Sequence, residues 1–229
     1  MKNTEILDLL FKNRIPFIDT KRLPIKPGIY AVYFHGETFP DAELNIEKDD
    51  LVYLGKIESG EQAWDSYDHF KSGKTGSSLL RRTIGSVLRE EFELIPIPRN
   101  AKEFKKGKTT YFKFIEASEG ILSSWMIKNL SLSFYEYSKS PQAIDFLETE
   151  LVKVAKPMFN ITKYPNNPFG EYLKNQRKSC GELAFSQPTE SIEKSASKSS
   201  HVYIPTRSEE GYSPRSFVES KDEKSNSGS

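Results

Sequence analysis

The sequence predicts an α+β domain with a small, mostly antiparallel three-stranded sheet flanked by helices, with inserts and a disordered C-terminal tail. Three observations lead there. Two short runs rich in aromatic and β-branched residues, "GIYAVYFHG" and "DLVYLGKI", are joined by a polar connector without helical spacing, which suits an antiparallel pair. A third such run, "SLSFYEYS", lies between two stretches with helical periodicity. Composition then changes sharply near residue 185.

Taken in order, "TEILDLLFKN" places Ile6, Leu9 and Leu10 at amphipathic spacing, with Thr4 as a candidate N-cap. The two strand runs follow, separated by "ETFPDAELNIEKDD". In "SSLLRRTIGSVLREEF", Ser77 or Ser78 can cap a helix whose buried stripe is Leu80, Ile84, Val87 and Leu88. "RNAKEFKKGKTTYFKF" reads as a basic loop leading into a short strand, and "EGILSSWMIKNL" as a helix before the third strand. In "SPQAIDFLETELVKVAKP", Ser140 caps, Pro141 takes the first helical position and Pro157 stops the helix. Ile144, Leu147, Leu151 and Val154 are expected to form its buried stripe. A turn-rich piece and a short helix close the domain. The boundaries are a helical extension over 1–25, a folded domain over 26–180 and a tail over 185–229. The tail holds thirteen serines and few large apolar groups, so burial cannot offset its ordering entropy.

The chain has 229 residues, 36% of them hydrophobic, and a formal net charge of +1. No overall basic field points to nucleic acid, but charge is unevenly spread. Five Lys or Arg and no acid lie between His69 and Arg89, and five more with only Glu103 between Arg99 and Lys108. A solvated face and a polyanion contact both fit such runs. Cys180 stands alone, which excludes an internal disulfide framework and a cysteine-based zinc cage. Charges interrupt the N-terminal apolar stretch, unlike a secretory signal, and no apolar run nears the roughly 20 residues of a membrane span. A cytoplasmic protein without membrane contact is expected.

"SGKTGSSLLRR" invites a P-loop reading. That motif needs a glycine five residues before Gly73, where Asp68 stands, and "WDSYD" is a poor buried strand. The glycine- and serine-rich turn therefore serves some other phosphate.

Three features, taken together, resemble the GIY-YIG nuclease family. They are Gly28-Ile29-Tyr30 opening the first strand, Tyr53-Leu54-Gly55 in the second, and the helix "ETELVKVAKPMFN". Leu54 replaces the isoleucine of the family name. Glu148 stands nine residues before Pro157 and twelve before Asn160, similar to the excision-repair branch. The resemblance covers Gly28 to Asn160. It implies a metal-dependent DNA endonuclease with Glu148 as the metal-binding carboxylate for Mg²⁺ or Mn²⁺. A hard cation that keeps its waters needs few protein ligands.

The resemblance further implies that Tyr30 and Tyr53 orient or deprotonate the attacking water. An ordinary tyrosine pKa is near 10, so a base role needs a nearby cation, and Lys56 stands where the family branch has a lysine. Arg82, with Leu79 three residues before it, takes the phosphate-binding position, and the neighbouring Arg81 is not separable by sequence. Gly55, Lys74 and Asn160 join the substrate-binding set, with the backbone N–H groups of the loop Gly73–Ser78 near the nucleic-acid backbone. Ser86 occupies a position where many members have histidine. His69 is then either a proton carrier or an ordinary surface residue. Trp64 and Tyr67 offer base stacking or plain packing. DNA is the expected partner, and these residues do not distinguish RNA. Double-strand cutting needs a dimer or two visits, and specificity needs the inserts, the basic segment or a partner protein. The reading of another class is a nucleic-acid-binding module on the same fold without turnover.

Overall fold

The computed structural model describes residues 1–17, 23–24, 26–58, 69, 73–100 and 111–186. Trp64, Tyr67, most of the basic segment after Arg99 and the tail beyond Ser186 lie outside the described residues. Six strands are present among the described residues: β1 (Ile15–Pro16), β2 (Gly28–Phe34), β3 (Leu51–Ile57), β4 (Pro96–Pro98), β5 (Phe112–Phe114) and β6 (Leu130–Glu136). The helices are α1 (Asn3–Lys12), α2 (Leu79–Val87), α3 (Glu116–Asn129), α4 (Pro141–Ala155) and α5 (Gly170–Ser186). None of the described helices is long and apolar enough to cross a membrane.

The main sheet has the order β1-β6-β2-β3, antiparallel throughout. Its three long strands are the three the sequence predicts; the two-residue β1 adds a fourth at one edge. β4 and β5 make a separate antiparallel pair that the proline-rich "PIP" did not announce. Every residue of β2 is buried. The reason is that helices cover both faces of the sheet, so neither face alternates toward water.

Those faces form two cores. Tyr30, Val32 and Phe34 of β2 pack with Leu80 and Ile84 of α2, Leu122, Trp125 and Met126 of α3, and Leu173 and Cys180 of α5. Ile29, Ala31 and Tyr33 point the other way, to Ile6 and Leu10 of α1 and to Ile144, Leu147, Leu151 and Val152 of α4. Val154, expected in that stripe, is exposed, because Val152 is the residue one position after Leu151 that turns to the sheet. The N-terminal helix is thus part of the second core. Helix ends follow local chemistry. Ser78 Oγ accepts from Arg81 N at 3.0 Å and Ser140 Oγ from Ala143 N at 3.3 Å, satisfying first-turn donors. The first helix starts one residue before Thr4, with the Glu5 carboxylate accepting the Lys2 N–H at 3.0 Å.

Candidate active site

Strand pairing sets the site. Tyr30 faces Gly55 and Val32 faces Tyr53 across β2 and β3, so both phenols emerge on the first core's face. A side chain at Gly55 is impossible without displacing Tyr30: a Cβ there would lie 2.3 Å from both the Tyr30 Cζ and its hydroxyl. Gly28 is equally constrained, since a Cβ would lie 2.2 Å from the Tyr135 carbonyl. Both triplet glycines are therefore close-approach positions.

The two phenol rings are 6.0 Å apart, and the buried His69 ring lies 5.7 Å from Tyr30 and 5.9 Å from Tyr53. His69 Nε2 is hydrogen-bonded to the Tyr30 hydroxyl at 2.7 Å, and Nδ1 to Ser78 Oγ at 2.5 Å. Either tautomer satisfies this chain, because each hydroxyl can donate or accept. His69 is thus no surface residue. Burial, reinforced by the charge of Glu148, pushes Tyr53 up to about 12, while hydrogen bonding with Tyr30 pulls the other way.

A second cluster lies at the β3 edge. Lys163 Nζ donates to Glu148 Oε2 and to Asp145 Oδ1, each at 2.7 Å. Lys56 donates to Asp145 and to Glu58. The two lysines draw Asp145 down to about 2. Glu148 is buried, and desolvation raises its pKa above the usual carboxylate value, with Lys163 opposing. Two ammonium groups face three carboxylates here, leaving one uncompensated negative charge. Glu148 belongs to α4, on the opposite face of the sheet from the phenols, yet its charge reaches Tyr53 around the edge strand.

Lys56 is not placed to lower the pKa of Tyr53, as the sequence suggested. It stands three residues from Tyr53, hence on the other face of a two-residue repeat, and its charge is engaged by Asp145 and Glu58. Tyr53 is raised, not lowered.

The two arginines also part. Arg81 is fully buried; it donates to Glu119 Oε2 and to Ser123 Oγ, each at 2.8 Å. Glu119 also accepts from Thr75 Oγ1 at 2.9 Å and from Gly73 N at 3.2 Å. Arg82 is half-buried, and its guanidinium donates to the carbonyls of Gly76 at 2.7 Å and Thr75 at 3.2 Å. The N–H groups of Gly73, Ser77 and Ser78 are engaged by Glu119 and the Lys74 carbonyl, so these three are not turned to a phosphate. Lys74 is exposed on that loop.

Asn160 closes the free edge of β3. Its amide donates to Leu54 O and accepts from Leu54 N, both at 2.8 Å, and Phe159 N donates to Val52 O at 2.9 Å. The Tyr53-Leu54-Gly55 segment is thereby held on its outer side.

The family model for the GIY-YIG catalytic domain matches residues 28–179. The chain belongs to the GIY-YIG family. No curated protein and no solved structure matches it. The matched stretch runs from the first glycine of β2 into α5, so both triplets, the Arg82 helix, Glu148 and Asn160 fall inside the GIY-YIG domain. This is a nuclease family acting on phosphodiester bonds of nucleic acid. The structure brings Tyr30, Tyr53 and His69 together, joins Lys56 to Glu148 through Asp145 and Lys163, and sets Arg81 aside in a buried ion pair. Asp145, Lys163 and Glu119 were not singled out from the sequence, and Ser78 was offered only as a helix cap and loop end. For Asp145 the signal was there: it precedes Glu148 by three residues on one helix face. Lys163 and Glu119 are distant in sequence and gave none.

Proposed function

We propose that this GIY-YIG domain is a metal-dependent endonuclease that hydrolyses DNA. The observation that supports it best is the Tyr30–His69–Ser78 hydrogen-bonded relay, with the buried Glu148 carboxylate across the edge strand in a lysine–carboxylate cluster of net negative charge. The residues present fit a hard divalent ion such as Mg²⁺ or Mn²⁺. Among the described residues no cluster of three His, Cys, Asp or Glu offers a full cage, so the ion would rest on Glu148 alone and complete its shell with water and substrate phosphate. When bound, the ion supplies charge stabilisation for the phosphate and the departing oxygen.

The chain's own groups supply the rest. Tyr30 Oη accepts a proton from the attacking water as its own proton passes to His69 Nε2. Nδ1–H of His69 then points to Ser78 Oγ. The water oxygen bonds to phosphorus and the bond to the sugar oxygen breaks. No phenolate is required, which agrees with the raised pKa of Tyr53. The neutral Tyr53 hydroxyl orients the water, and Lys163 holds the Glu148 carboxylate. Arg82, not Arg81, is the arginine open to a phosphate.

The test is nicking of supercoiled plasmid with Mg²⁺, Mn²⁺ or chelator. Glu148→Gln is expected to abolish cleavage with the thermal midpoint within a few degrees of the parent. Undiminished cutting by that variant removes Glu148 from the reaction, and a parent that cuts with neither ion leaves a non-catalytic binding module.

A further inference from the structure

We propose that Arg99, Lys113 and Arg177 continue from Arg82 as a track for the sugar-phosphate backbone, flanking the catalytic cluster. The inference rests on the nuclease reading and names where substrate lies outside the cutting site.

The placement is geometric. Gly76 packs beneath the hairpin's basic stems: a Cβ there would lie 3.4 Å from Arg99 Cγ and 3.7 Å from Lys113 Cβ. Its carbonyl holds the Arg82 guanidinium. Two residues on, Ser78 caps α2 and contacts His69, so the track starts beside the proton relay. Arg177 lies on α5, which packs along α2, and its charge acts on Arg82. Burial and the neighbouring charges of Arg177 and Arg99 disfavour the cationic form of Arg82. Burial also lowers the pKa of Arg177.

Four cations from α2, α5 and the β4–β5 pair therefore gather here without an ion pair to any described acid. Among the described residues, none of Arg82, Arg99, Lys113 and Arg177 forms an ion pair. Lys26, Lys48, Lys56, Arg81 and Lys163 do. Arg82, Lys113 and Arg177 are half-buried and Arg99 is exposed; such like charges repel, and a polyanion lying across them relieves that repulsion. Their spread over three elements suits successive backbone phosphates better than one small anion. Residues 101–110 are left out of the site.

The experiment is fluorescence anisotropy of a labelled DNA duplex over a salt series, with chelator, in the Glu148→Gln background. Arg99→Gln with Lys113→Gln should weaken binding about tenfold or more and flatten the log–log salt slope by about one per cation removed. Arg177→Lys should keep the slope, since its charge remains. A parent that cuts DNA, with a double variant that keeps both affinity and slope, overturns the track and leaves the nuclease standing. A parent that neither binds nor cuts overturns both. Arg99 is exposed, so Arg99→Gln alone provides a variant whose fold is safe. It should flatten the slope by about one, and an unchanged slope counts against the track.

Discussion

Arg81 and Arg82 are neighbours of the same type in different surroundings. Arg81 has no exposure and spends its guanidinium on Glu119, Ser123 and Thr75. Removing one partner of such a buried pair strands the other charge and costs about 3–5 kcal/mol. Arg81→Ala should therefore lower the thermal midpoint strongly, as read by calorimetry. Arg82→Ala should keep most of the stability and lower turnover by about a hundredfold or more, as expected for a lost phosphate-binding cation. A variant pair with the reverse pattern exchanges these roles. His69 teaches the same lesson. The sequence offered it as carrier or surface residue, and only its bonds to Tyr30 and Ser78 decide that it is buried and connected.

At the scale of elements, β3 is an edge strand, and an edge needs cover. Asn160 supplies it with two hydrogen bonds to Leu54, on either side of which stand Tyr53 and Gly55. Asn160→Ala removes both and leaves the Leu54 groups without those partners, at about 1–3 kcal/mol. Urea titration should show that loss, with unchanged slope. Gly55→Ala tests the opposing strand. Its Cβ enters the space of the Tyr30 hydroxyl, so activity should fall with that of Tyr30→Phe, and combining the two should add little. Strand, helix and cap positions were readable because they follow from short-range periodicity and turn residues. β1 and β4 were not, because strands of two and three residues carry too few positions to show a period. The helix α5 spans 17 residues, longer than its short apolar pattern suggested, because Leu173, Cys180 and Ala184 pack into the first core.

For the whole molecule, the two-sided burial of the sheet fixes an alkaline limit. Tyr53 is raised to about 12, Cys180 to about 11, and Tyr33 and Tyr172 shift in the same direction, each mainly through burial. These groups hold protons more tightly folded than unfolded. Their stabilisation is fully present below the ordinary pKa values, near 9 for the thiol and 10 for the phenols, and is lost as pH climbs to the folded values. The thermal midpoint should fall steeply between pH 10 and 12, and less steeply in Tyr53→Phe. An identical pH profile for the two proteins removes Tyr53 from the account.

The sequence by itself determined the α+β class, the three main strands, the cap of α4, and the GIY-YIG membership, since these rest on local spacing and on residues that recur as short motifs. Only the tertiary structure decided which arginine is buried, that Lys56 turns away from the phenols, and that Lys163 and Asp145 engage the Glu148 region. Those outcomes depend on contacts between distant parts of the chain, where packing and ion pairing choose among residues that spacing alone leaves equivalent.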